Sequence, residues 1–512
     1  MKFFFLHVNE CCTIRTIISQ RVKVVKNKAF TRYTGKWERE MKNKSNFTGQ
    51  LGFVLAASGS AVGVGNLWRF PYLAAKDGGG LFLIVYLVLV VTFGFTLLTS
   101  DIAMGRKTQS SSIKAYEKAN PKWKFLGILT FLVPVVIMTY YAVIGGWILK
   151  YCVTFLTGHG FDAAADDYFT GFITDPVQSV IYAAIFMLVT AFIIFRGVEK
   201  GIERWSKYLM PILLLLIIAV AIFALTLKHG EGADARTGLD GLLVYLKPDL
   251  TPLVGGTFLS GVSHFLGILL DAMSQIFFSL SVSMGIMITY GSYVKKDVDL
   301  NQSIGQIEIF DTGVAFLAGM MIIPSIFVFS GTEGMAAGPG LMFVALPKTF
   351  AAMGVAGHFV GGAFFLMAVF ATLTSCISVL EAITANCMEI TGKSRPKVTG
   401  VLTVLYTAAS IIIALGYSLL YVEVQLPNGS TGQLLDIMDY ISNSFMMPFI
   451  SLLSTILIGW VLKPEWISDE IEQDGIKMRR KTLYRVMVKY VCPIIMLILF
   501  LQSTGLLGMV LK

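Results

Sequence analysis

A chain of 512 residues that is 55% hydrophobic and only 14% charged, with mean hydropathy +0.71, is not a soluble domain, whose charged share is about 25%. Its net charge of +9 does not argue for nucleic acid, because membrane proteins gather Lys and Arg on their cytoplasmic loops. The six cysteines (Cys11, Cys12, Cys152, Cys376, Cys387, Cys492) and five histidines form no metal or disulfide spacing, and with no Walker, GxSxG or HExxH motif nothing argues for ATP drive or hydrolysis.

In chain order, residues 1–45 read as a basic extension without a fold of its own, disordered or not native. Phe3-Phe4-Phe5-Leu6 is too short for a signal-peptide core, and translation is expected to begin at Met41. From residue 46 to 512 the chain reads as a single transmembrane domain. Apolar runs long enough to cross a bilayer follow one another: Leu51–Ala75, Leu81–Met104, Leu126–Leu156, Val177–Phe195, Trp205–Leu227, Phe258–Tyr290, Ile304–Phe329, Val360–Ile390, Val398–Leu420, Leu434–Val461 and Tyr484–Leu511. Basic residues concentrate on alternate connections, such as Arg106, Lys107, Lys114, Lys118, Lys122 and Lys124 after the second run. The third-to-fourth connection instead carries Asp162, Asp166, Asp167 and Asp175. This asymmetry predicts a cytoplasmic N-terminus.

The first run contains GSAVGVGN, from Gly59 to Asn66, followed by Arg69 and Pro71. Each helix-interior glycine costs about 1 kcal/mol against alanine, so this density predicts an opened helix. In hydrocarbon, freed backbone survives only where protein or a polar cavity surrounds it. The sixth run is interrupted in the same way, at Ser279-Leu280-Ser281-Val282-Ser283-Met284-Gly285. Paired interruptions at corresponding positions point to a midplane site between two inverted five-helix repeats, about 51–228 and 258–462, with an extra helix at about 484–511. Small-residue packing and serines bonding to their own helix are the plainer readings of the two stretches.

Carboxylates inside the membrane read as functional by default. Asp311, apolar on both sides, is the strongest candidate, because a nearby cation would offset the cost of its burial. For Glu308, Glu381 and Asp101 a structural hydrogen bond is an equally good reading. Thr374 and Ser375 form a second hydroxyl cluster, in the eighth run. Carbonyl, hydroxyl and carboxylate oxygens suit a hard monovalent cation, but these residues alone do not fix the ion.

GSAVGVGNLWRFPYLAAKDGGG with DIAMGR, then TYYAVIGGW, SQIFFSLSVSMGIMITYGSYV and LTSCISVLE, resemble the first to third, sixth and eighth helices of the neurotransmitter:sodium symporter family, the group with the LeuT fold. The resemblance covers nearly everything from Phe47 onward, and eleven helices are similar to its shorter bacterial amino-acid transporters. It implies an all-α membrane protein with broken first and sixth helices, a sodium-coupled symporter rather than an enzyme, lying in the plasma membrane. It further implies one sodium site of Gly59, Val62, Ala371, Thr374 and Ser375, and a second of Ala61, Asn66, Ser279 and Asp311 completed by the substrate carboxylate. Tyr141 would meet that carboxylate beside Gly63 and Gly65, and Ile137, Phe278, Ser281, Met284 and Val379 would line the side-chain pocket with Ser375 close by. Arg69 and Asp439 would form an outer gate, and Lys44 with Glu389 an inner latch.

Gly63 stands where monoamine carriers place an Asp, which argues for an amino acid; Asp311 and Ala315 stand where chloride-dependent members place Asn and Ser, which argues against chloride. Met284 for a frequent Phe and Ser283 for a common Gly suggest an apolar or aromatic L-amino acid. The alternatives are a betaine-like osmolyte symporter and an amino-acid sensor that does not transport. Expected partners are the amino acid and membrane lipid, with a homodimer left open and no nucleic acid.

Overall fold

Apolar runs of this length satisfy their backbone polar groups internally as helices, and helices dominate the computed structural model, which describes residues 46–231, 235–254, 257–331, 340–427 and 429–506. The extension 1–45, with Met41 and Lys44, lies outside the described residues. Among the described residues ten helices are long and apolar enough to cross a membrane, or eleven when one bent pair is counted as a span. The bent pair is the first span, Gln50–Ala61 and Gly65–Lys76, whose halves meet at 56°. The others are Gly80–Thr108, Pro121–Leu156, Pro176–Phe195, Val198–Thr226, Ser260–Ser279, Leu300–Ser330, Val355–Thr391, Arg395–Leu415, Leu434–Leu462 and Lys481–Ser503. Each of the eleven expected runs has a counterpart among the described residues.

Local chemistry explains several ends. Asp175 caps the fourth span by accepting from the amides of Val177 (2.9 Å) and Gln178 (3.0 Å), ahead of Pro176 at the first helical position. Asp299 caps the seventh through the Gln302 amide at 3.1 Å. The eighth span closes on Gly392 at φ +65°. Sequence reading did not reveal the short helices Tyr168–Thr174, Gly238–Leu246 and Leu341–Ala352, nor two small antiparallel hairpins, Lys228–His229 with Arg236–Thr237 and Val424–Gln425 with Thr431–Gly432.

The eighth span is central: 78% of its most apolar window is buried inside the protein, against 28% for the eleventh. It packs on the third, and both face the interruptions of the first and sixth spans. The sixth span stops at Ser279 and resumes only as the short helix Ile286–Gly291. Between them Ser281 (φ +51°), Ser283 (φ +61°) and Gly285 (φ +74°) take left-handed backbone. The end of the bundle where the described chain begins also holds the Lys- and Arg-rich connections, and is called the basic end below.

Candidate functional site

The site begins where the first span loses its helix. Val62 turns extended (φ −73°, ψ 99°), so carbonyls around it leave the ladder. Two hydroxyls converge on the Ser60 carbonyl: Ser281 donates at 3.0 Å from the sixth span's break, and Ser375 at 3.2 Å from the eighth span. Ser375 also reaches the Val62 carbonyl at 3.5 Å. Ser60 was not a candidate from sequence, although the two broken helices and the eighth span meet on its carbonyl. Thr374 donates to Ala371 and Phe370 of its own helix, both at 3.0 Å. It lies against Gly59, where an added Cβ would come 3.2 Å from the Thr374 Cβ. Gly59, Val62, Ala371, Thr374 and Ser375 thus share one side of the break.

On the other side, the Gly63 amide donates to Asn66 Oδ1 at 3.2 Å, and Asn66 Nδ2 donates to Asp311 Oδ1 at 2.8 Å. Ser279, the last helical residue before the sixth span's break, donates to both Asp311 oxygens at 2.9 Å. Asn66, Ser279 and Asp311 are at most 1% exposed, and Ala61, immediately before the break, is equally enclosed. A carboxylate at such depth needs compensation. Two neutral donors supply part of it and leave its charge unbalanced by any cation among the described residues. An all-oxygen set around one carboxylate fits a hard monovalent cation.

Gly63 also faces Tyr141 and Ser375: a Cβ there would come 3.2 Å from the tyrosine hydroxyl and 3.0 Å from the serine Oγ. Gly65 lies against the Phe278 ring, which an added Cβ would approach to 2.5 Å, and its carbonyl accepts from Gln275 Nε2 at 3.2 Å. Ile137, Met284 and Val379 are buried in the same core.

A cavity of about 220 Å³ opens over this aromatic pair, lined by Tyr141, Phe278, Trp68, Arg69, Asp439 and Met447 among others. Arg69 and Asp439 face it together, yet among the described residues they make no ion pair. Arg69 donates to Ser274 at 2.8 Å, while Asp439 accepts from Tyr140 (3.0 Å) and Asn443 (2.6 Å). At the basic end Glu389 accepts the Ser111 amide at 3.0 Å, ahead of the helix Ser112–Ala119. Its expected partner, Lys44, lies outside the described residues.

The remaining intramembrane acids have structural partners. Glu308 pairs with Arg480 at 2.6 Å, and Glu381 with Arg395 at 2.5 Å and the Tyr293 hydroxyl at 2.6 Å. Asp101 accepts the Ser283 amide at 2.8 Å and so holds the broken stretch of the sixth span.

Two discontinuous helices whose loosened backbone meets buried hydroxyls and one acid in mid-bundle define a secondary transporter. The profile of the Sodium:neurotransmitter symporter family matches residues 44–171 and 171–507. An uncharacterised sodium-dependent transporter of Bacillus subtilis is 32% identical over 90% of this chain and 97% of its own length. Another, from Methanocaldococcus jannaschii, is 30% identical over 91% of each chain. The crystal structure of MhsT in complex with L-phenylalanine superposes with a TM-score of 0.77 at 35% identity, over 90% of this chain and all of that one. The chain belongs to the sodium:neurotransmitter symporter family. It is a multi-pass, sodium-dependent transporter of the LeuT fold and not an enzyme.

Proposed function

We propose that the protein is a symporter that couples inward sodium movement to import of an apolar or aromatic L-amino acid by alternating access, without chloride. The observation that carries this reading is the Asn66–Asp311–Ser279 cluster, closed by hydrogen bonds of 2.8–2.9 Å where both helices break. Sodium entering there would meet the Asp311 charge, the Asn66 and Ser279 oxygens and the Ala61 carbonyl. A second sodium would take the carbonyls of Gly59, Val62 and Ala371 with the Thr374 and Ser375 hydroxyls.

A zwitterion suits what is left. The second half of the first span, Gly65–Lys76, presents its N-terminal end to the break, and the Tyr141 hydroxyl stands beside Gly63. Both favour a carboxylate. The loosened Ser60 and Ala61 carbonyls and the Ser281 hydroxyl favour the ammonium. An aliphatic or aromatic side chain would then lie among Ile137, Phe278, Met284 and Val379. The relative crystallised with L-phenylalanine supports that class. Asp311 supplies a fixed negative charge beside the sodium, and its neighbour one turn on is Ala315, which offers no hydroxyl to an anion. The basic end would face the cytoplasm of a plasma membrane.

The test is uptake of radiolabelled phenylalanine, leucine and tyrosine into proteoliposomes, with sodium or potassium outside and chloride replaced by gluconate. Uptake should require sodium and ignore chloride. Equal uptake in potassium would end the reading, and competition by betaine but not by leucine would assign an osmolyte instead. Binding without exchange of internal for external amino acid would indicate a sensor.

A further inference from the structure

Beyond the transport site, the connector between the tenth and eleventh spans is joined to one particular set of elements. It contains the helix Glu465–Ile471 and runs on to Arg480, just before Lys481–Ser503 begins. Glu470, 1% exposed, accepts from Arg106 Nε at 2.8 Å, from Lys296 Nζ at 3.2 Å and from Gln473 at 2.6 Å. Arg106, 2% exposed, sits at the basic end of the second span. It also donates to the Glu470 carbonyl and, at 2.7 Å, to the Val298 carbonyl. Lys107 donates to the Trp466 carbonyl at 2.6 Å and lies 4.7 Å over that ring. Further along, Asn301 holds the Lys477 carbonyl at 3.1 Å, and the Arg480 guanidinium lies 3.7 Å over Phe95.

Every element gripped in this way belongs to the second span, the start of the seventh, or the turn after Ile286–Gly291, the far half of the broken sixth span. That half-helix already touches the second span backbone to backbone: a Cβ on Gly105 would overlap the Ile288 carbonyl, and one on Gly291 the Ile102 carbonyl. Among the described residues the connector does not bond the corresponding half of the first span, Gln50–Ala61, whose leading residues meet both the fifth span and the turn after Ile286–Gly291. Thr48 bonds Glu203 of the fifth span, and the Phe47 amide donates to the Tyr293 carbonyl at 3.1 Å.

We propose that the connector is a strap: Glu470, through Arg106 and Lys296, fastens the far half of the sixth span and the turn behind it to the second span, so that these move as one piece during transport. A buried carboxylate held by two cations from different elements is suited to this, because pulling it away from both would leave a buried charge uncompensated. The flexible joint of the sixth span then lies wholly in 280–285, and movement at the basic end falls to elements outside the strap. The inference needs the chain to transport, not to carry an amino acid.

Hydrogen–deuterium exchange on the purified full-length protein tests it, in sodium and in potassium. In the wild type, residues 100–108 and 286–298 should respond in parallel to exchanging sodium for potassium. Glu470→Gln should raise exchange across 286–298 by about tenfold or more, leave Ser260–Ser279 unchanged and abolish the parallel response. Lys296→Ala alters an exposed side chain and leaves the Arg106 pair intact, so it should give a smaller rise confined to the same segment. Unaltered exchange over 286–298 in both variants would overturn the strap, and so would a rise spread evenly over all spans.

Discussion

In the proposed coupling, the ion chemistry turns on Asp311. Its carboxylate is fully buried and, among the described residues, receives only neutral donors, Asn66 and Ser279. Hydrogen bonds and contacts to a buried charge contribute about 1.5–3 kcal/mol, which is roughly ten- to a hundredfold in affinity. Asp311→Asn keeps the shape and removes the charge. The half-saturating sodium concentration for uptake should rise by about tenfold or more, and uptake should become sensitive to chloride. A variant with unchanged sodium dependence would show that Asp311 does not face the ion. A different residue answers to pH. Asp77, one position past the first span, is 8% exposed and lies 3.8 Å from Lys76, which pairs more closely with Asp271 at 2.5 Å. Burial, and then the Asp271 carboxylate, push the Asp77 acid up to about 7. The folded chain therefore keeps a proton that the unfolded chain has lost above about pH 4. This contribution to stability is present in acid and disappears as pH rises through about 7. In a stable detergent the thermal midpoint should fall from about pH 4 to about pH 7 and level off above that, and Asp77→Asn should flatten that part of the profile.

At the scale of elements, the break in the sixth span is maintained by backbone conformation and by one distant side chain. Gly285 sits at φ +74°, and a Cβ there would press within 3.1–3.2 Å of Ser112 and Thr130. Left-handed backbone costs a non-glycine residue roughly 1–2 kcal/mol, so Gly285→Ala should destabilise by about that much in thermal melts. Asp101→Asn weakens the acceptor for the Ser283 amide and should lower transport while leaving the helical circular dichroism unchanged. Both interruptions were legible in sequence because glycines, serines and Asn66 crowd into otherwise apolar runs. Asp311 stood out because its run is apolar on both sides of it, whereas its grouping with Asn66 and Ser279 came from the family resemblance. The function of Asp101 was not legible, since its partner lies 182 residues away and is a main-chain amide with no side-chain signature. Ser60 was missed for the same reason: its carbonyl, not its hydroxyl, is what Ser281 and Ser375 seek. The connector helix Glu465–Ile471 is short and mixed in polarity, and nothing in its own residues announces that Glu470 meets Arg106 across 364 positions.

Over the whole molecule, the number of sodium ions moved per cycle decides how steeply solute can accumulate. One sodium falling through 100 mV releases about 2.3 kcal/mol, and two release about 4.6. Those energies correspond to accumulation of roughly fiftyfold and roughly two-thousandfold, before any concentration gradient is added. The two sides of the first span's break differ in readiness. Around Asp311 the donors already converge on a fixed charge. Around Thr374 the hydroxyl bonds to its own helix at 3.0 Å and must turn away to meet an ion. If both sides load, equilibrium accumulation in proteoliposomes held at zero potential should grow with the square of the sodium gradient. Thr374→Ala should reduce that dependence toward first power or stop transport, while Asp311→Asn should mainly shift the sodium concentration required. A first-power dependence in the wild type would mean that only the Asp311 side carries sodium through the cycle, with the Gly59–Thr374 side serving to pack the first span against the eighth.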